Sequence, residues 1–116
     1  MNQIKITMND DGEWAATDER GTDELHTLGS VRALCQTAVD VGSALHITRC
    51  DFELMIAQNA TNADYRDLGR EAASAGDAEG DKLAELAIAG DEDARDECLA
   101  QIAHTIAESA MWVWQA

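Results

Sequence analysis

The sequence lacks the features that characterise membrane, secreted and disulfide-stabilised proteins. Among its 116 residues there is no proline, aromatic residues make up 4%, and the three cysteines are Cys35, Cys50 and Cys98. An odd number of cysteines at such wide spacing argues against a disulfide framework and favours a reducing compartment. No apolar run approaches the roughly 18 residues that a membrane helix requires. The polar N-terminal residues do not resemble a signal peptide, so we expect a cytoplasmic protein with no membrane partner.

Motifs for catalysis, cofactors and metals are also absent from the sequence. It has no glycine-rich phosphate loop and no motif that places a nucleophile beside a histidine. Its histidines and cysteines do not form the closely spaced pairs of structural zinc sites. The acidic runs do not reproduce a calcium-binding loop, and the Asp-Ser-Leu attachment triplet of acyl carrier proteins is missing. We therefore predict that the protein is not an enzyme and has neither a cofactor nor a metal site.

Negative charge is what the sequence has in excess. There are 23 Asp and Glu against 8 Lys and Arg, a net charge of −15. Residues 9–24 hold seven acids against one arginine, and residues 64–97 hold twelve acids against four basic residues. Negative charges at this density repel one another and destabilise the compact state. We therefore expect the electrostatic field that they produce to serve a function. The field attracts cationic partners and repels nucleic acid and anionic membranes.

The length predicts a single domain over 1–116, and the 46% hydrophobic content argues against a disordered acidic tail. Residues 4–17 have the alternating pattern of a β-hairpin. A three-residue loop with Gly12 left-handed would pair Met8 with Trp14 and Ile6 with Ala16. That register places the large apolar side chains on one face, which needs helices to cover it.

The remainder predicts helices over about 23–44, 49–59, 62–75, 78–89 and 92–110. Thr22 is the expected N-cap of the first, whose apolar stripe runs from Leu28 to Leu45. Thr48 with Asp51 forms a capping box that starts the second helix, and Ile47 with Phe52 occupies the positions of a hydrophobic staple.

Cap signals also mark the later helices. Thr61 with Asp64 repeats the capping box. The tripeptides Ala75-Gly76-Asp77 and Ala89-Gly90-Asp91 each supply a glycine that ends one helix and an aspartate that caps the next. The last segment, 111–114, either continues the final helix or adds a short third strand to the hairpin. We expect an α+β fold, mostly helical, with the N-terminal hairpin packed on about five helices.

Leu68-Gly69 and Gly76-Asp77 resemble a fragment of the tetratricopeptide repeat. Repeats of that family recur about every 34 residues, whereas the internal period here is 14 residues. We interpret the fragment as the ordinary chemistry of a helical hairpin.

The acids on the predicted helices recur at intervals of three and four residues, so they form rows along helix faces. Duplex DNA carries one negative charge per ~1.7 Å of its axis, and a groove that binds phosphates would accept such rows without base-specific contacts. The acids expected to contact a partner are Asp64, Asp67, Glu71, Asp77, Glu79, Asp81, Glu85, Asp91, Glu92, Asp93, Asp96 and Glu97, together with Asp10, Asp11, Glu13, Asp18 and Glu19.

In size, charge, α-rich pattern and lack of catalytic motifs the whole chain resembles the small acidic proteins by which phages block host defences. Anti-CRISPR proteins and DNA-mimic restriction inhibitors are the named examples. The resemblance implies a non-enzymatic inhibitor that occupies the basic groove of a nucleic-acid-binding protein or complex in the host cytoplasm, without itself binding nucleic acid. Those families share no motif, so the resemblance assigns no residue.

Two other interpretations stay open at this stage. The charge also suits a generic acid-surfaced domain of a halophile, although the near-neutral segments 25–63 and 98–116 fit that less well. The chain could instead be a helical adaptor, or a homodimer that pairs through the uncharged surface near Trp112 and Trp114.

Overall fold

The computed structural model describes residues 3–116. Along this part of the chain the elements are β1 (Gln3–Met8), β2 (Trp14–Asp18), β3 (Gly21–Leu25), α1 (Leu28–Val41), β4 (Ala44–Thr48), α2 (Arg49–Asn59), α3 (Asn62–Ser74), α4 (Ala78–Ala89), α5 (Glu92–Glu108) and β5 (Trp112–Gln115). The expected α+β fold with mostly helical content is confirmed.

The strands form one mixed sheet in the order β3-β2-β1-β4-β5. Antiparallel pairs join β1 to β2 and β2 to β3, whereas β1 with β4 and β4 with β5 are parallel. The predicted hairpin register is confirmed, because Met8 lies opposite Trp14 and Ile6 opposite Ala16. Gly12 closes the turn at φ +79°, a conformation that glycine adopts without a steric penalty.

One face of the sheet is covered by α1 and α2. Ile4, Ile6 and Trp14 lie on this face and are each 3% exposed or less. Trp14 Nε1 donates a 2.7 Å hydrogen bond to Gln58 Oε1 near the end of α2. The opposite face carries exposed residues such as Lys5 and Thr17. The sheet therefore contributes one side to the core and presents the other to solvent.

The prediction of a helix over 23–44 is wrong at both ends. Residues 21–25 form β3, in which Leu25 lies opposite Trp14 and is buried. The N-cap of α1 is Thr27 rather than Thr22: Thr27 Oγ1 accepts from Ser30 N, and Ser30 Oγ accepts from Thr27 N. Gly42, at φ +67°, ends the helix after Val41.

The segment after Gly42 is a strand, which the sequence analysis did not predict. Leu45 and Ile47 alternate with more exposed residues in β4 and are buried on the helix-covered face. The C-terminal segment is also a strand, so α5 ends at Glu108 instead of continuing to residue 110. Of the two alternatives for 111–114 the strand is therefore the one found, but β5 pairs with β4 and not with the hairpin, with Leu45 opposite Trp112.

The starts of α2 to α5 that the local caps predict are confirmed. Asp51 N donates to Thr48 Oγ1 at 3.1 Å at the start of α2. Thr61 and Asp64 form a capping box at the start of α3. Gly76 and Gly90 adopt φ of +77° and +105° just before α4 and α5.

Apolar residues at helical spacing on α1, α2 and α5 are expected to be buried in the core, and most of them are. Leu28, Val31, Phe52, Ile56 and Ile106 are each 1% exposed or less. Leu99 is only half-buried, because α5 turns Ala94, Cys98 and Ile102 inward instead.

The chain divides into two compact units. The first comprises residues 1–59 and 103–116 and contains the sheet, α1 and α2. The second comprises residues 60–102 and contains α3, α4 and most of α5. The expectation of a single domain stays a prediction.

Candidate functional site

The acidic residues of the second unit lie almost entirely at its surface. Twelve acids and four basic residues give residues 60–102 a net charge of −8. Ten of those acids are exposed, and the half-buried ones are Asp64 and Asp81. The negative charge that the sequence predicts for this part of the chain therefore lies at the solvent-exposed surface.

Three of these acids have a structural task at helix N-termini. Asp77 Oδ1 accepts from Gly80 N at 2.9 Å, and Asp91 Oδ1 accepts from Ala94 N at 3.0 Å. Asp64 Oδ2 accepts from Thr61 N at 2.8 Å. Each carboxylate satisfies a backbone N–H group and lies at the positive end of a helix dipole. Removing one of them would weaken its helix as well as any contact with a partner.

Asp81 is half-buried because α3 and α4 pack closely. A Cβ atom added to Gly69 would lie 2.8 Å from Ala84 Cβ and 3.2 Å from Asp81 Oδ1. On the facing helix, a Cβ atom added to Gly80 would lie 2.8 Å from Ala72 Cβ. Gly69 is thus a close-packing position of a helical hairpin, which fits the interpretation of the repeat-like fragment.

One ion pair offsets part of the negative charge on α3. Arg70 Nη1 lies 3.7 Å from Asp67 Oδ1, and both side chains are about 70% exposed. At that exposure the pair contributes little to stability, so Asp67 is held only weakly by its partner.

The remaining acids of the second unit accept no capping hydrogen bond within the described residues, although Glu79, Glu92 and Asp93 lie in the first turns of α4 and α5, where the helix dipole favours negative charge. Within the described residues, no hydrogen bond or ion pair engages the side chains of Glu71, Glu79, Glu85, Glu92, Asp93, Asp96 and Glu97. Two of them meet at an open depression of about 290 Å³, lined by Asp77, Glu79, Gly80, Leu83, Glu97 and Gln101. The structure thus brings Glu79 of α4 and Glu97 of α5 together at one concave surface, with the apolar side chain of Leu83 in its wall.

The acids of the first unit are distributed along the β1–β2–β3 strands and their turns. Asp10, Asp11 and Glu19 are exposed at the turns and make no side-chain hydrogen bond or ion pair within the described residues. Asp18 accepts from the backbone N–H of Arg20 at 2.8 Å and pairs with its guanidinium at 3.0 Å. These two bonds, the backbone one foremost, lower the pKa of Asp18 below its ordinary value. Asp18 therefore supports the β2–β3 turn.

A second group of side chains at the hairpin escaped the sequence analysis. Glu13, Glu24 and His26 each offer a potential ligand atom within 4.8 Å of the others. His26 Nε2 lies 2.8 Å from Glu24 Oε2 and 3.9 Å from Glu13 Oε2. The hydrogen bond that the protonated His26 ring donates to the Glu24 carboxylate raises the pKa of His26. The sequence analysis predicted a helix from residue 23. In extended backbone, by contrast, residues two apart such as Glu24 and His26 lie on the same face.

An aromatic cluster marks the outer edge of the sheet at β5. The rings of Trp112 and Trp114 are stacked at 5.8 Å, and Phe52 of α2 meets each of them edge-on at 4.8 and 5.1 Å. The Arg49 guanidinium lies 4.5 Å from the Trp114 ring. Met111, Val113 and Trp114 remain 64%, 38% and 39% exposed. The edge that was expected to be an uncharged surface is therefore apolar and accessible.

None of the helices within residues 3–116 has the length and apolar character needed to span a membrane. Comparison with protein-family models, with curated proteins and with solved structures finds no match for this chain.

Proposed function

We propose that the chain is a non-enzymatic acidic binding protein that inhibits a nucleic-acid-handling complex, such as a CRISPR effector or another defence nuclease, by occupying its basic groove. The observation that carries the proposal is a set of seven exposed acids on α3, α4 and α5, whose side chains make no hydrogen bond or ion pair with any residue of the described range 3–116. A fold that keeps unneutralised charge at this density loses stability through self-repulsion. A cationic partner would remove that repulsion on binding.

The spacing of the acids supports a nucleic-acid-binding partner. Acids three or four residues apart on a helix are separated by a rise of about 4.5–6 Å. Phosphates along one DNA strand rise by about 3.4 Å, which is of the same order. A groove that reads phosphates through Arg and Lys side chains makes contacts that carry no sequence information. Carboxylates at these intervals would satisfy the same groups.

The depression between Glu79 and Glu97 suits a single basic side chain. Lys and Arg place an apolar stem against apolar surface and keep the charged head near polar groups. Leu83 in the wall would contact such a stem, while the carboxylates of Asp77, Glu79 and Glu97 at the rim would pair with the head. A partner's Lys or Arg is therefore the expected occupant.

Two variants with equal loss of charge test the proposal. The first neutralises Glu79→Gln, Asp93→Asn and Glu97→Gln, none of which caps a helix. The second, the matched control, neutralises Asp10→Asn, Asp11→Asn and Glu19→Gln at the hairpin turns. Each tagged protein is used to capture partners from a bacterial lysate, and binding of the captured complex is then measured at increasing salt and with competing duplex DNA. Circular dichroism establishes that both variants fold.

The expected partner is a nucleic-acid-binding protein, and duplex DNA should displace it from this chain. It should also dissociate steadily as the salt concentration rises, because the Debye length falls from ~8 Å at physiological strength to ~3 Å at 1 M. The first variant should bind more weakly and associate more slowly than the control variant. Equal binding at 0.1 M and ~1 M salt, together with failure of DNA to compete, would contradict the proposal. Equal weakening by both variants would show that net charge, not this surface, is responsible.

The β5 edge favours a second candidate function, a protein-interaction module that pairs through this strand. Edge strands present unpaired backbone groups that can join another strand, and exposed Val113 and Trp114 add apolar area. Such binding would be nearly indifferent to salt. Sedimentation of the wild type and a Trp114→Lys variant over a range of concentrations distinguishes the two, because only an edge-mediated dimer is lost in the variant.

A further inference from the structure

The end of the β2–β3 hairpin brings three metal-ligating side chains together on the exposed face of the sheet. Glu24 lies opposite Ala15, next to the Trp14–Leu25 pair. Glu13 directly precedes β2 and His26 directly follows β3, so these two residues flank that pair. Because alternate residues of a strand share a face, all three side chains lie opposite the buried face that Trp14 and Leu25 occupy.

The backbone that carries these side chains is fixed on its buried side. Trp14 and Leu25 are each 2% exposed. Trp14 Nε1 donates to Gln58 Oε1 at 2.7 Å, and Asn59 Nδ2 donates to the Leu25 carbonyl at 3.1 Å. Both strands are thereby held at the level of the three ligands. An ion would therefore have mainly side chains to order.

The separations suit one small ion. Zn²⁺ binds imidazole nitrogen and carboxylate oxygen at about 2.0–2.2 Å, so ligands of a common ion lie at most about 4.4 Å apart. The three candidate atoms lie within 4.8 Å of one another, and two of the separations are already 2.8 and 3.9 Å. Exposed Glu side chains can close the remaining difference by rotation.

The donor set indicates which ion. One imidazole with two carboxylates suits Zn²⁺ and related transition metals, whereas Mg²⁺ and Ca²⁺ prefer oxygen ligands alone. Two carboxylates neutralise a divalent cation, and the net charge of −15 raises the local concentration of cations. We propose that Glu13, Glu24 and His26 form a surface site for one divalent transition-metal ion, with Zn²⁺ as the best match. This site is independent of the proposed inhibitory function and departs from the sequence expectation of no metal.

Another His–Glu pair in the chain supplies a matched control. His104 Nε2 lies 2.9 Å from Glu108 Oε1 on α5, and both side chains are exposed. In the part of the chain that the structure describes, this pair has no third potential ligand that would complete a metal cluster. Binding at His26 but not at His104 would therefore depend on the convergence of three ligands, not on a generic His–Glu pair.

Calorimetric titration of Zn²⁺ into the full chain provides the test, in ~0.15 M salt with excess Mg²⁺ to saturate non-specific acidic sites. Cys50 is the exposed thiol, so Cys50→Ser is included to exclude it as a ligand. We expect one equivalent of Zn²⁺ to bind in the wild type, in Cys50→Ser and in His104→Ala. His26→Ala and Glu24→Gln should each weaken binding at least tenfold, since even outer-shell changes at metal sites cost 10–100-fold.

Proton NMR with Co²⁺ gives a second measurement that does not depend on affinity. The His26 ring signals should shift or broaden at substoichiometric metal, while those of His46 and His104 change little. The proposal is overturned if the three histidines respond equally, or if His26→Ala and His104→Ala bind Zn²⁺ alike. It is also overturned if no Zn²⁺ binds in the presence of Mg²⁺.

Discussion

Replacing Gly69 by alanine tests the close packing of α3 against α4. The added Cβ would lie 2.8 Å from Ala84 Cβ, whereas carbon atoms pack best at about 3.5–4.0 Å. Neither methyl group has a torsion that could move it away, so the helices must separate by roughly 1 Å. Overpacking of this kind costs about 1–3 kcal/mol, and the better helix propensity of alanine returns about 1 kcal/mol. Because the backbone must move, the overpacking cost lies in the upper part of that range, about 2–3 kcal/mol, which leaves a net loss of about 1–2 kcal/mol in the free energy of unfolding.

The same substitution at Gly29 is the control. A Cβ atom there meets only Thr27 Oγ1 at 3.5 Å, an ordinary contact. Gly29→Ala should therefore be neutral or stabilise α1 by up to about 1 kcal/mol. Thermal unfolding followed by circular dichroism resolves the two, since 1 kcal/mol corresponds to roughly 4 °C in a chain of this size. A Gly69→Ala protein as stable as the wild type, or shifted in the same direction as Gly29→Ala, would refute the close-packing argument.

Two further predictions concern local structure. Thr48→Ala should lower the free energy of unfolding by about 1 kcal/mol, because Asp51 N loses its acceptor at the start of α2. Thr48→Ser keeps the hydroxyl and should retain most of that free energy, as measured by chemical denaturation. Equal stability of the two variants would contradict the cap. Asp18 should titrate below its ordinary pKa of 3.8 in a carbon-detected NMR titration, and it should do so only partly in Arg20→Ala, because the backbone N–H remains. Since the folded pKa is the lower one, the stability that Asp18 contributes is present above its unfolded pKa and is lost as the pH falls through the folded value.

Features with a short-range cause could be predicted from the sequence. The hairpin register follows from alternation around a left-handed Gly12, and the starts of α2 and α3 follow from Thr–Asp boxes three residues apart. Each depends on atoms within a few residues. For the same reason the exposure of the acids on α3, α4 and α5 was predictable, because the apolar stripes of these helices determine which faces are solvated.

Features that depend on distant partners could not be predicted. Thr22 before Asp23 has the pattern of a helix start, but Leu25 is buried only because it lies opposite Trp14 in the sheet. The actual cap, Thr27 with Ser30, does not match the Glu or Gln expected at the third helical position. β4 was missed, and the pairing of β5 with β4 was not predicted, because each is a short strand whose pairing partner lies far away in sequence. The group of Glu13, Glu24 and His26 exists only once β3 is paired with β2.

The acidic residues of the helices fall into two groups, those that cap a helix N-terminus and those that do not. This distinction determines which substitutions can test function. Asp64, Asp77 and Asp91 hold helix N-termini, so a charge reversal at Asp91 would weaken α5 and reduce binding even if no partner contacted it. Glu79, Asp93 and Glu97 accept no capping hydrogen bond within the described residues, so their neutralisation changes the field while leaving the caps intact. Glu79 and Asp93 lie in the first turns of α4 and α5, so losing their charge costs each helix about 0.3–1 kcal/mol, which is measured by thermal unfolding beside the binding assay. Only the second kind of substitution can attribute a loss of binding to the surface itself. The two variants lose the same number of charges. If a partner binds the α4–α5 variant more weakly than the hairpin-turn variant, its binding depends on where these three carboxylates lie and not on net charge alone.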